Sequence, residues 1–148
     1  MNFKSIITQL YFLLIYSDGK VNQGEISLGK KMIQSEGISE VEFSLQMEAL
    51  KTKDTAQIYK ESLAELKRLK KEQQIRCIAW LCVLANSDGF MDRAEWQFIY
   101  KIYHKELHLE LDIIMESQKE LNKKITLNNS VPVPTTLLDQ PWSRAGNR

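Results

Sequence analysis

The first 131 residues contain no proline; Pro132, Pro134 and Pro141 all stand close to the C-terminal end. Proline removes a backbone donor and clashes with the preceding helical turn, so a long stretch without it is free to be helical throughout. Apolar residues recur along this stretch at spacings of three and four, and few segments alternate with period two. The pattern predicts an all-α domain.

The spacing predicts seven helices. The first, about Asn2 to Ser17, carries Phe3, Ile6, Ile7, Leu10, Tyr11, Leu13, Leu14 and Ile15. These cover most of the helical cylinder, so this helix is expected at the centre. The second starts after Asn22, uses Ile26, Leu28, Met32 and Ile33, and stops at Gly37. Ser39 is placed to cap the third, with Glu42 completing a capping box and Phe43, Met47 and Leu50 facing inward. The fourth begins near Asp54 and shows Ile58, Tyr59, Leu63, Leu66 and Leu69. The fifth, about Glu72 to Asn86, is almost wholly apolar and reads as a second central helix. The sixth starts after Asp92 and is expected to bury Trp96, Phe98, Ile99, Ile102 and Tyr103. The seventh spans about Glu110 to Lys124. Residues 1–124 then form one helical domain, and 125–148 a flexible, proline-bearing tail. Leu137, Leu138 and Trp142 give that tail apolar groups that could dock on the domain or on a partner.

Composition narrows the function. With 20 basic and 19 acidic side chains there is no global field to favour nucleic acid or anionic lipid. The short basic run Lys67, Arg68, Lys70, Lys71 lies among Glu61, Glu65 and Glu72 without interleaved aromatics, and reads as a solvated face. The apolar stretch from Ile6 to Tyr16 is shorter than the ~20 residues a bilayer requires. It also lacks a secretory cleavage pattern, so a cytoplasmic location is expected. Cys77 and Cys82, five apart, point in different directions on a helix and read as buried, reduced thiols.

One motif occurs twice. Ser17-Asp18-Gly19-Lys20-Val21-Asn22-Gln23-Gly24-Glu25 matches Ser87-Asp88-Gly89-Phe90-Met91-Asp92-Arg93-Ala94-Glu95 at an offset of 70 residues. At the same offset Leu14 meets Leu84, Ile26 meets Trp96, Leu28 meets Phe98 and Met32 meets Ile102. The flanking pattern is therefore repeated too, and the chain reads as an internal, pseudo-twofold duplication. Gly19 and Gly89 suit helix stops. Asn22 and Asp92 suit N-caps, with Glu25 and Glu95 at the third helical position. Val21 and Met91 are placed to staple against Ile26 and Trp96.

Asp18 and Asp88 are left without a role in capping. A carboxylate at a helix C-terminus opposes the dipole, so either an Asx turn or a bound cation must account for it. Asp18, Asn22 and Glu25 in the first loop, and Asp88, Asp92 and Glu95 in the second, offer oxygen donors only, which suits Ca²⁺ or Mg²⁺ and poorly suits zinc. The second loop, with three carboxylates, is the better candidate. Neither is an EF-hand loop, because aspartate and glutamate stand seven residues apart where that loop needs about eleven. A purely structural turn-and-cap role remains open beside metal binding.

At these residues the chain resembles the tellurite-resistance TerB family and the related N-terminal domain of DjlA-type membrane-linked co-chaperones. The resemblance covers about residues 1–124. It implies an all-helical fold of two related halves, each with an apolar helix ending in a D-G turn. It also implies links to tellurite and other chemical stress, to phage or colicin defence and to membrane-linked metal-sensing complexes, with divalent-cation binding at Asp18, Asn22, Glu25, Asp88, Asp92 and Glu95. Asn22 stands where the family pattern has an acidic residue. There is no His-Pro-Asp tripeptide, so no J-domain is expected.

No Ser-His-Asp or Cys-His arrangement and no phosphate-cradling loop is present, so an enzyme is not expected. His104 and His108, four apart, read as a surface pair near a helix end. The leading expectation is a stress-associated module that binds Ca²⁺ or Mg²⁺ without an organic cofactor and engages a protein partner, with any membrane association peripheral and through that partner. The alternative is a metal-free interaction scaffold.

Overall fold

Two helices are buried around their whole circumference, and the others are arranged to cover them. In the computed structural model, which describes residues 1–16, 23–87 and 92–127, helix α1 (Phe3–Ile15) is buried without interruption from Ile6 to Ile15. Helix α5 (Lys71–Ala85) is buried from Cys77 to Ala85. Around them run α2 (Gln23–Ser35), α3 (Glu40–Leu50), α4 (Thr55–Arg68), α6 (Arg93–Tyr100) and α7 (Leu111–Leu127). Helix α1 touches α3, α4 and α5, while α5 touches α1, α2, α6 and, most extensively, α7. Among the described residues there is no strand, and no helix is long and apolar enough to cross a membrane.

Local chemistry sets the helix ends. The Asn2, Ser39 and Asp54 side chains accept from the backbone N–H groups of Ser5, Glu42 and Gln57. Each thereby satisfies a donor that the first turn leaves without an intrahelical partner. Gly37, at φ +69°, ends α2. Ile38 N–H bonds back to the Ile33 carbonyl at 2.8 Å and Gly37 N–H to that of Gln34 at 3.2 Å. That pair of bonds is the Schellman stop, with Ile33 and Ile38 as its apolar contact.

Side-chain contacts fix the direction of each helix. At one end, the base, Lys4 donates to the Gly37 carbonyl at 3.0 Å and the Met1 ammonium meets Glu65 at 3.6 Å. Gln74 donates to the Leu66 carbonyl at 3.1 Å, and Lys67 pairs with Glu106 at 3.2 Å. Helices α2, α4 and α6 therefore run toward the base. Helices α1 and α5 run away from it, and the chain approaches α7 from beside it. The opposite end, the pole, gathers the end of α1 and the starts of α4 and α6, where Tyr16, Thr55 and Ala94 line one groove.

Two polar links, one buried and one partly buried, tie the shell to the core. Gln9 accepts from the Ser62 hydroxyl at 2.6 Å, joining α1 to α4. Glu36, in the stop of α2, accepts at 2.6 Å from both the Trp80 indole N–H and the Arg76 guanidinium of α5. Trp80 is fully buried, so its N–H needs this protein partner.

Three expectations change. Trp96 is 37% exposed rather than buried. Glu95, Ile99 and Ile102 hold the inward face of α6, and Trp96 lies outside it. Next, α6 continues as a π-helical turn, Lys101–Glu106, and His108 beyond it adopts φ +56°. His104 and His108 are both exposed, in keeping with a surface pair near a helix end, with His108 in the stop itself. Finally, α7 reaches Leu127, within the stretch assigned to the tail, since Ile125 is buried one turn after Leu121. Residues 128–148, with Leu137, Leu138 and Trp142, lie outside the described residues.

The Glu36 link is testable. Glu36→Ala leaves the Trp80 N–H buried without its acceptor and should cost about 1–3 kcal/mol in urea unfolding. Glu36→Gln keeps an acceptor oxygen and should lose clearly less.

Candidate functional site at the acidic pole

The pole is where the two repeated motifs meet the fold. The residues flanking each turn lie there: Tyr16 and Gln23 on either side of 17–22, Ser87 and Asp92 on either side of 88–91. Asp18, Asn22 and Asp88 lie outside the described residues, as do Gly19, Gly89, Val21 and Met91. Glu25, Asp92 and Glu95 are described.

Glu25 is the third residue of α2 and Glu95 the third of α6, as the capping pattern predicts. They are 3% and 6% exposed. Asp92 is the N-cap of α6, with its carboxylate accepting from Ala94 N–H at 2.9 Å. Its N-cap position was legible in the sequence. The depth of the two glutamates was not, because capping places such a side chain without saying whether another helix covers it.

A tyrosine read in the sequence only as part of an apolar face, and a glycine not singled out there, position the first glutamate. Tyr11 of α1 donates its hydroxyl to the Glu25 backbone carbonyl at 3.3 Å. The ring lies against Gly29, one turn further along α2, where a Cβ would sit 2.5 Å from the phenolic oxygen. Glycine in a helix interior costs about 1 kcal/mol relative to alanine, and that cost is the available signal for close approach. The repeat carries a second signal: at the 70-residue offset, Tyr11 and Gly29 meet Leu81 and Ile99, so a large–small pair stands opposite two medium residues. Burial, and next the Glu25 charge, push the Tyr11 phenol up to about 12.

An open groove of about 420 Å³ runs between α1, α4 and α6 at this end. Leu13, Tyr16 and Phe98 form its apolar walls, and Lys101 stands at its side with the ammonium 4.8 Å from the centre of the Tyr59 ring. Among the described residues no group of three His, Cys, Asp or Glu side chains is placed to hold a metal ion. Both thiols are remote from reactive chemistry. Cys77 and Cys82 are buried and unbridged, and burial pushes Cys82 from 9.0 to about 12 and Cys77 higher still.

The fold and pole thus define a helical module with a pair of buried carboxylates at one end. The family model described as tellurite resistance protein TerB matches residues 5–110, and the chain belongs to that family. No curated protein and no solved structure matches it. The match ends as α7 begins, so α7 and the proline-bearing segment lie beyond it.

Two outcomes follow for the pole. Gly29→Ala drives a Cβ into the buried phenol and should destabilise the protein by about 1–3 kcal/mol in denaturant unfolding. Tyr11 and Cys82 hold their protons to higher pH when folded than when unfolded, so their contribution to stability is complete below about pH 9. It should be lost as pH rises to about 12. In Tyr11→Phe, alkaline unfolding curves should lose part of the decline above pH 10.

Proposed function

We propose that this chain is a stress-associated binding module that takes a divalent cation, Ca²⁺ or Mg²⁺, at the acidic pole and engages a protein partner there. The observation that carries the reading is the burial of Glu25 and Glu95 at matching places in α2 and α6. A carboxylate in a first turn gains about 0.3–1 kcal/mol from the helix dipole. Removing it from water costs several kcal/mol. Both glutamates have partners within the fold, and a divalent cation at the pole would add a strong opposite charge to that set. TerB membership and the oxygen-only donors Asp18, Asn22, Asp88 and Asp92 of the flanking turns support this chemistry. The matching placement of the two glutamates also supports the duplicated reading of the chain. The module acts in the cytoplasm, without an organic cofactor or catalysis of its own, and reaches a membrane only through its partner.

The Asp92 carboxylate favours a second reading, since it already serves as an N-cap. On that reading the acidic turns are helix stops and caps, and the module is a metal-free scaffold.

Thermal unfolding of chelator-stripped protein separates the two. Cation at about 100 times its dissociation constant should stabilise the folded state by about 2.7 kcal/mol. Asp88→Ala should abolish that response while leaving the stripped protein's melting temperature nearly unchanged, and Asp18→Ala should weaken it. A wild type indifferent to Ca²⁺ and Mg²⁺ leaves the scaffold.

A further inference from the structure

Helix α3 is apolar on two opposite sides. Its inner side is covered: Leu50 is buried, and Phe43 and Met47 pack against the core. Its outer side is open. Val41 is 69% and Leu45 67% exposed, the two most exposed large apolar side chains among the described residues. Ala49 is exposed as well, so residues spaced four apart form one apolar stripe along the helix. A helix on the outside of a domain ordinarily turns a polar face to water. Helices α1 and α5, apolar all round, are enclosed, whereas the stripe on α3 lies open.

Charge frames the stripe. Glu42 and Glu48 stand three residues before and three after Leu45, about 60° to either side of it. Both are exposed. Lys51 meets Glu48 at 2.9 Å, but the pair is open to water at both ends and holds that carboxylate weakly. These acids narrow the choice of occupant. A second copy of the chain, turned about Leu45, would set its Glu48 against Glu42 and its Glu42 against Glu48. Like charges so opposed cost affinity. An anionic lipid surface meets the same repulsion. A helix whose apolar stripe is flanked by lysine or arginine meets an opposite charge on each side while its apolar anchors cover Val41, Leu45 and Ala49.

The chain holds an internal control. At the 70-residue offset, Val41, Glu42 and Leu45 meet Leu111, Asp112 and Met115 of α7. Leu111 and Met115 are exposed too, though less so. Lys119 stands where α3 has Ala49, which interrupts the stripe and brings a positive charge to it. The α7 pair is therefore the poorer match to a basic helix.

We propose that the outer face of α3, Val41–Leu45–Ala49 between Glu42 and Glu48, docks a basic amphipathic helix of a partner protein. This inference does not rest on the cation reading, and either can fail without the other.

The probe is a synthetic peptide with leucine along one helical face and lysine on both flanks, labelled for fluorescence anisotropy and titrated with the full-length protein. Saturable binding is expected. A Val41→Ser, Leu45→Ser double variant should weaken it by about tenfold or more. Its melting temperature should stay close to that of the wild type, because both side chains are exposed. Glu42→Gln with Glu48→Gln should also weaken binding and flatten its dependence on salt. Leu111→Ser with Met115→Ser should leave it unchanged. No saturable binding, equal binding of a peptide with glutamate in place of lysine, or equal binding by the α3 serine variant overturns the proposal. So does a loss confined to the α7 variant. Wild-type self-association that the α3 serine variant abolishes overturns it too, by assigning the face to a second copy.

Discussion

A helix that is apolar on every side has to be enclosed on every side. Helices α1 and α5 both meet that condition, and burying them dictates the rest of the structure. Neither can lie at a surface, so they pack on each other and draw the amphipathic helices around them. Burying a large aliphatic side chain contributes about 1.5–3 kcal/mol. Ile6, Ile7, Leu10, Leu14, Ile78, Leu81 and Leu84 are all essentially inaccessible, so this term far exceeds any single cap or surface ion pair. Caps and stops decide where the helices end. The Glu36–Trp80 and Gln9–Ser62 links decide how the outer helices sit against the inner two.

This enclosure has a consequence for the pole. Both central helices run away from the base, so the segments that follow them both leave from the same end. Each returning helix then carries its third residue, Glu25 or Glu95, beneath its neighbours. A capping glutamate on an isolated helix would be solvated. Here the packing that covers α1 and α5 also covers the carboxylates, and a locally ordinary motif becomes a pair of buried acids. Tyr11 sets the depth of α2 at this point, and only glycine at position 29 lets the ring in.

Much of this was legible in the sequence, for identifiable reasons. Helical periodicity and the absence of proline gave the all-α class. The unbroken apolar runs marked both central helices, and Ser39, Asp54, Asp92 and Gly37 announced the boundaries they occupy. What periodicity does not carry is the difference between a large apolar residue and a buried one. Trp96 falls at the position matching Ile26, which is half-buried, but the inward face of α6 is narrow and already filled by Glu95, Ile99 and Ile102. Nor does sequence spacing anticipate the π-helical turn, which shifts the register after Tyr100 and leaves His108 in the stop. Partners distant in sequence, such as Glu36 for Trp80 and Gly29 for Tyr11, depend on packing that a local pattern cannot specify.

The central functional claim is that the buried acids belong to a cation site at the pole. Calorimetric titration of Ca²⁺, and separately Mg²⁺, into chelator-stripped full-length protein addresses it most directly, with the Glu25→Gln and Glu95→Gln variants alongside. The account predicts saturable binding by the wild type, weakened in at least one variant, with each variant still folded by circular dichroism. Absence of binding heat for both cations at several temperatures, in a protein that remains folded, would contradict it.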